Sequence, residues 1–475
     1  MGGRVGPLIM RQLAFGTKLL RMRRILFVVL VLVLSLPLVP ALRAQELSKQ
    51  PLDVYSARRH ALAEHLQGGW ALMFAAEEPQ LDFDVFRQDP DFYYLTGWNE
   101  PGAALLVSAA TPANAEHAAE PYREILFLPE RDLRMERYTG VKIDADTPGA
   151  SATTGVAEVA PLSRFAQVVA KEVLTDRRRI YRSLVEMDSP QAVLMMNSLA
   201  VAMGMDKAPP SGDVHDAVLA LRAIKDQGEM ALLKKASDAS IAAQRAMIRA
   251  VHPGVTERDI AGLINWKLLQ NGCERVSYAP IVGSGPNSTV LHYSANWRTM
   301  QSGDLVVVDA AGEFSMYASD ITRTLPVNGH FTDRQREIYN IVLGAQRAAA
   351  AAFVAGKYSI GTPARRAPTD MTLDRVAYDY INTHGHDLHG QPLGKYFIHG
   401  VGHSVGIDVH DGLDYMQPLE PGMVFTIEPG IYIPEEKLGV RIEDVFWVDE
   451  QGKLHDFIAD LPHTAEDIEA MMRDK

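Results

Sequence analysis

Three carboxylates stand where apolar strands would ordinarily carry none. Asp309 closes the run Asp304–Asp309 (DLVVVD), Glu428 closes Met423–Glu428 (MVFTIE) ahead of Pro429-Gly430, and Glu443 lies inside Val440–Val448 (VRIEDVFWV). A carboxylate taken out of water in such a run is costly unless a positive partner or a cation meets it. Asp320 adds a fourth acid at a spacing that suits two adjacent strands joined by a tight turn, and His403 ends the Gly-rich stretch His399-Gly-Val-Gly-His403. Two divalent cations would balance four carboxylates, and a paired site about 3.5–4 Å across needs a carboxylate to bridge it. Oxygen-rich ligation with one imidazole favours Mn, Co, Fe or Zn over magnesium alone. A structural reading competes: each acid is then the partner of a buried cation. Arg441 is at hand for that, because alternation puts Arg441, Glu443 and Val445 on one strand face and Val440, Ile442, Asp444 and Phe446 on the other.

The elements that must position these residues follow from pattern. A helical stretch covers 215–250, is interrupted near Gln227-Gly228 and ends at His252-Pro253-Gly254. Thr256-x-x-Asp259 then reads as a capping box opening the next helix. A second helical pair, Arg334–Val354 and Met371–Thr383, separates the Asp309/Asp320 strands from those of Glu428 and Glu443. Upstream, Ala57–Leu66 reads as a helix, and Trp70–Phe74, Ala103–Val107 and Glu124–Leu128 read as strands of an α/β domain. Met205–Asp213, with two prolines and a Ser-Gly pair, reads as a linker. The expected division is therefore 1–45, 46–213 and 214–475.

The first of these segments is an address. Arg21, Arg23 and Arg24 precede an uncharged apolar run from Ile25 to Val39, and small residues follow at Ala41 and Ala44. That is the order of a secretory signal peptide, and the run is shorter than the roughly 20 residues of a spanning helix. Met22 is an alternative start, and an uncleaved anchor is the competing reading. The chain is expected to be exported, to the periplasm or beyond, and to meet membrane only through this signal peptide. A net charge of −12 over 475 residues supplies no basic field for nucleic acid. The single cysteine, Cys273, excludes an intrachain disulfide framework and a cysteine-rich zinc site. Its Asn-Gly-Cys-Glu setting is a poor one for a nucleophile.

The segments Ser319-Asp320-Ile-Thr-Arg-Thr, His399-Gly-Val-Gly-His403 with Gly406-Ile-Asp-Val-His410-Asp, Thr426-Ile-Glu428-Pro-Gly and Arg441-Ile-Glu443-Asp closely resemble the pita-bread metallopeptidases. That family includes methionine aminopeptidase, prolidase and Xaa-Pro aminopeptidase. Upstream, Phe86–Gly97 followed by Asn99-Glu-Pro resembles the creatinase-type N-terminal domain, which methionine aminopeptidases lack. The resemblance implies an α+β fold: a pita-bread catalytic domain, with an antiparallel sheet core and outer helices, preceded by a smaller creatinase-like α/β domain. It implies two divalent ions, Mn2+ foremost with Co, Fe or Zn as alternatives. Asp309 would chelate one ion, His403 and Glu428 the other, and Asp320 and Glu443 would bridge. Glu428 would also act as the proton acceptor. His410 would stabilise the oxyanion, His292 would orient substrate or assist proton transfer, and His399 would line the proline side of the pocket. Arg441 would orient a ligand carboxylate without itself binding metal.

The implied reaction is hydrolysis of the N-terminal Xaa-Pro bond by a metal-bridging hydroxide, on peptides with proline at the second position. A prolidase restricted to Xaa-Pro dipeptides is the alternative, and a non-catalytic peptide-binding protein on this fold is a third. Family members also suggest a homo-oligomer, a dimer or tetramer. One departure is visible: Tyr138-Thr-Gly140 stands where relatives often carry Trp-x-Gly, which removes any lid contact made by that tryptophan.

Overall fold

A computed structural model describes residues 47–78, 85–112, 119–176, 179–183, 189–207, 209–364 and 370–474. The candidate signal segment lies outside them; among the described residues no helix is long and apolar enough to cross a membrane. After helix Leu52–His65, the N-terminal half is built on β1 Trp70–Phe74, β2 Ala104–Ser108, β3 Arg123–Leu128, β4 Glu158–Pro161, β5 Ile180–Arg182 and β6 Ser211–Asp213. Their order is β4-β3-β2-β1-β5-β6. The β1–β2 and β2–β3 pairs are antiparallel and the others parallel.

Alternate residues Trp70, Leu72, Leu106, Ile125 and Phe127 form one sheet face, against which helices Phe165–Asp176 and Pro190–Ala202 set Phe165, Val169, Met196 and Leu199. Ala71, Met73, Leu105, Val107 and Leu126 are buried as well. Coverage of both faces is why these strands read as continuous apolar runs rather than alternating ones. Met205–Asp213 is not wholly a linker: it ends in β6, which adds an edge strand beside β5. Pro209 and Pro210 fall just before the paired residues, where no ladder donor is needed.

In the second half, helix His215–Ala223 is followed by Gln227–Ala250, so the expected interruption falls at residues 224–226. Asp226 caps the longer helix in a reciprocal box with Glu229. Thr256 and Asp259 form the box that opens helix Glu257–Gln270. These long helices pack as one pair, and Asp333–Ala352 with Leu373–His384 as a second.

The first pair is followed by β7 Arg275–Val276, β8 Ile281–Ser284, β9 Leu305–Asp309, β10 Gly312–Phe314, β11 Tyr317–Ala318 and β12 Thr322–Pro326, and the second by β13 Val424–Ile427, β14 Gly430–Ile433, β15 Leu438–Arg441, β16 Asp444–Val448 and β17 Leu454–Asp456. They form the ladders β12-β9-β8, β13-β16-β17, β11-β10-β7 and β14-β15, all antiparallel. This is the expected antiparallel core with helices packed on it.

Two expectations change. The link from Asp309 to Asp320 is not a tight turn but the β10–β11 hairpin, whose tip holds Ser315 and Met316 at φ of 49° and 75°. The neighbourhood is nevertheless as expected, since Thr322 pairs with Asp309. Val440–Val448 is not one strand: Ile442 and Glu443 separate β15, which pairs with β14, from β16, which pairs with β13. Residues 48–475 form one compact unit, and buried ion pairs cross from its N-terminal half, including Arg58–Glu229 at 3.2 Å and Asp91–Arg222 at 2.7 Å.

Candidate metal centre

Asp309 is the last residue of β9, and Asp320 sits two residues before β12. The amide of Ala310 donates to Ile321 O at 3.1 Å, which holds the two acids side by side. Glu443 occupies the break between β15 and β16. Its amide donates to Thr322 O at 3.1 Å, and the Thr322 hydroxyl donates to Glu443 Oε2 at 2.6 Å. The segment carrying His403 lies against β13: Glu428 N donates to Val401 O at 2.7 Å and Thr426 N to His403 O at 2.8 Å. Glycine is required at 402, because a Cβ there would meet Thr426 O at 2.1 Å. That close approach explains part of the glycine pattern around His403.

The His403 ring lies 3.1 Å from Ser404 O through Nδ1. Donation there leaves Nε2 with its lone pair free, the tautomer that a metal ligand needs. Nε2 stands 3.4 Å from Asp320, 3.5 Å from Glu428 and 3.8 Å from Glu443. One ligand atom each from Asp320, His403 and Glu443 lies within 4.8 Å of the other two, and all three residues are buried. The partner of Arg441 is Asp309, at 2.7 Å, rather than Glu443. Arg441 also donates to Tyr432 Oη at 2.8 Å.

One guanidinium cannot balance four ionised acids. Burial first, and then the neighbouring carboxylates, push Asp320, Glu428 and Glu443 well above the usual carboxylate range. A divalent cation reverses that cost. The donor set, mostly carboxylate oxygen with one imidazole nitrogen, is of the kind that holds such ions. The residues present fit divalent metal ions.

All nine candidate residues line one cavity of about 710 Å³: Asp309, Asp320, His403, Glu428, Glu443, Arg441, His292, His399 and His410. The His410 ring stands 4.0 Å, centre to centre, from that of His403. Desolvation in the cavity, then His403 and His292, push the His410 imidazole down to about 4, so it is neutral at neutral pH. His399 lies 4.0 Å from Glu428, with Nε2 2.9 Å from Tyr432 Oη and Nδ1 2.7 Å from Gly400 O. Cys273 is buried outside this cavity, and desolvation pushes its thiol up to about 12. It is no nucleophile.

Sequence reasoning missed three partners of these residues. Tyr278 Oη contacts Asp309 Oδ1 at 2.6 Å and also reaches Asp320 Oδ1. Burial and the acids raise Tyr278 well above its ordinary value, so it remains a donor. Thr322 holds Glu443, and Tyr432 links Arg441 to His399. Thr322 lay within the Asp320 motif and was available as a candidate; nothing local marks the two tyrosines.

A model of metallopeptidase family M24 matches residues 231–450, and one of the aminopeptidase P N-terminal domain matches 55–181. The chain is 33% identical to the Xaa-Pro aminopeptidase of Escherichia coli, across 90% of this chain and 98% of that protein. It is 38% identical to a Xaa-Pro dipeptidase of Pyrococcus furiosus, across 50% of this chain and 64% of that one. Among solved structures, zinc-substituted E. coli aminopeptidase P in complex with product superposes with a TM-score of 0.75 at 30% identity, covering 90% of this chain and 99% of that one. The chain therefore belongs to the aminopeptidase P family of M24 metalloexopeptidases, with a pita-bread catalytic domain behind an aminopeptidase P N-terminal domain.

Proposed function

We propose that this chain removes the N-terminal residue from peptides whose second residue is proline. The observation that carries the proposal is the convergence of four acids and His403 on one cavity whose walls also hold His292, His399 and His410. Asp309 would hold one divalent ion, His403 and Glu428 a second, and Asp320 and Glu443 would be shared; Mn2+ is the first choice, with Co, Fe or Zn as alternatives. Bound there, such ions supply a water acidified from pKa 15.7 to about 7 as the nucleophile.

Glu428, beside His403 and facing the cavity, takes the proton of the attacking water and is placed to pass it to the departing proline nitrogen. His410 is a neutral imidazole and donates its N–H to the oxygen on which charge develops. His292 orients the substrate from the same wall. His399 presents its ring to the proline, held by Tyr432 and Gly400. Arg441 keeps the Asp309 carboxylate aimed. Proline suits this arrangement because it lacks an N–H and its φ is fixed, so extended-backbone recognition fails and a shaped pocket takes over.

Among the described residues lining the cavity Arg441 is the only lysine or arginine, and it is committed to Asp309, Tyr432 and Thr322. Action on peptides longer than two residues is the first reading, and a prolidase restricted to Xaa-Pro dipeptides is the alternative. Residues 1–45 direct the chain out of the cytoplasm in this proposal, and it works as a dimer or tetramer.

A panel of Xaa-Pro, Xaa-Pro-Yaa and longer peptides, run with Mn2+, tests the assignment. The expected result is release of the first residue from tripeptides and longer chains, with Glu428→Gln lowering kcat by about 10²–10⁴-fold. Cleavage confined to dipeptides makes the protein a prolidase. A wild type that holds no metal and is indifferent to Glu428→Gln is a binding protein instead.

A further inference from the structure

Behind the ligand residues lies a second polar cluster that the mechanism does not use. Arg323 on β12 and Asp444 at the start of β16 are both fully buried. Arg323 Nη2 donates to Asp444 Oδ1 at 2.7 Å. Its Nη1 donates to two carbonyls, Thr322 O and Glu443 O, each at 2.9 Å, and its Nε donates to Pro462 O at 2.8 Å. The other Asp444 oxygen accepts from Gln346 Nε2 at 2.8 Å. Gln346, buried on helix Asp333–Ala352, also donates to Ile427 O at 3.0 Å. Asp444, Asp456 and His463 approach one another closely enough to suggest a cation site. Asp444, however, is already neutralised by Arg323 and saturated by Gln346 and His463.

The backbone atoms gripped here are the neighbours of the candidate ligands. Ile427 precedes Glu428, Glu443 O belongs to a ligand residue, and Thr322 holds Glu443 through its hydroxyl. The gripped segments also belong to separate ladders, β12-β9-β8 and β13-β16-β17, which among the described residues meet near the site at the bridge Thr322–Glu443. Separate ladders do not fix the distance between side chains that each carries. Arg323 does, because from β12 it bonds both Asp444 and the Glu443 carbonyl, while Gln346 ties Ile427 to Asp444 on the other ladder.

We propose that Arg323, Asp444 and Gln346 are positioning residues that set the separation of Glu428, Glu443 and Asp320, and through it the affinity for metal. The proposal rests on the ligand assignment above, and its test separates the two. Mn2+ binding is titrated on metal-free wild type and on Asp444→Asn and Gln346→Met, beside the thermal melting of each metal-free protein. Co2+ absorption in the visible range is recorded as a signature of ligand geometry. For folded variants the expected result is Mn2+ affinity lower by about 10–100-fold, an altered Co2+ spectrum, and a fall in kcat with KM nearly unchanged. Gln346→Met leaves the Arg323–Asp444 pair intact and decides the matter if Asp444→Asn does not fold. Folded variants that bind Mn2+ as the wild type does, with only a lower melting temperature, overturn the positioning role and leave the ligand assignment standing. A wild type that binds none of Mn2+, Co2+, Fe2+ and Zn2+ overturns both.

Discussion

Tyr278 stands in an ordinary Ser-Tyr-Ala-Pro segment, yet its hydroxyl meets both Asp309 and Asp320. The phenol has one proton to offer, and burial with the surrounding acids keeps that proton on. Tyr278→Phe leaves the acid pair without its donor while preserving the ring. We expect metal affinity to fall by about tenfold, with the fold intact, as read by Mn2+ titration and circular dichroism. Unchanged affinity would show that the hydroxyl is a bystander. The contrast with the acids explains what a sequence reveals at this scale. Asp309, Glu428 and Glu443 were visible because a charge in an apolar run conflicts with local logic, and such conflicts mark functional sites. A tyrosine near a strand creates no conflict, so Tyr278 and Tyr432 became visible only once the chain was folded.

At the scale of elements, the apolar runs located the strands well, and the joints between them were where the reading failed. Val440–Val448 looks continuous because each residue from 440 to 446 is buried, including the polar ones. Nothing in such a run shows that the chain changes ladder at Ile442-Glu443. The change matters, since it frees Glu443 to bond Thr322 across the two ladders. The His403 segment makes a comparable close approach, and Gly402 permits it. Gly402→Ala would drive a Cβ into the backbone of β13, whereas at Gly400 the nearest outside atom is Pro363 Cδ at 3.8 Å. The expected outcome is a loss of about 1–3 kcal/mol for Gly402→Ala from overpacking, together with weaker metal retention as His403 is displaced. Gly400→Ala should stay within about 0.5 kcal/mol. Urea unfolding of the metal-free pair measures the first effect and Mn2+ titration the second; equal behaviour of the two variants would refute the close-approach argument.

Across the whole molecule, the two halves are joined through the loop that carries His410. Arg222 bonds Asp91 of the N-terminal half at 2.7 Å and Asp408 at 2.6 Å, and it also reaches Asp411; Lys225 bonds Asp411 at 3.0 Å. Asp411 is fully enclosed. Burial works to raise its pKa, but the Lys225 and Arg222 charges outweigh this and hold its carboxyl below the ordinary value. For an acid depressed in the folded state, the stabilisation is complete above the unfolded pKa of about 3.9 and is lost as pH falls below it. Asp411→Asn leaves two buried cations short of a partner, and we expect it to cost about 3–5 kcal/mol at pH 7. Protonation of Asp411 in the wild type removes the same charge. The gap in urea midpoint between wild type and variant should therefore be wide at pH 7 and narrow progressively below pH ~3.9. A gap that stays constant through that range would mean that packing, not charge, makes Asp411 matter, and the ionic tie between the N-terminal half and the His410 loop would have to be abandoned.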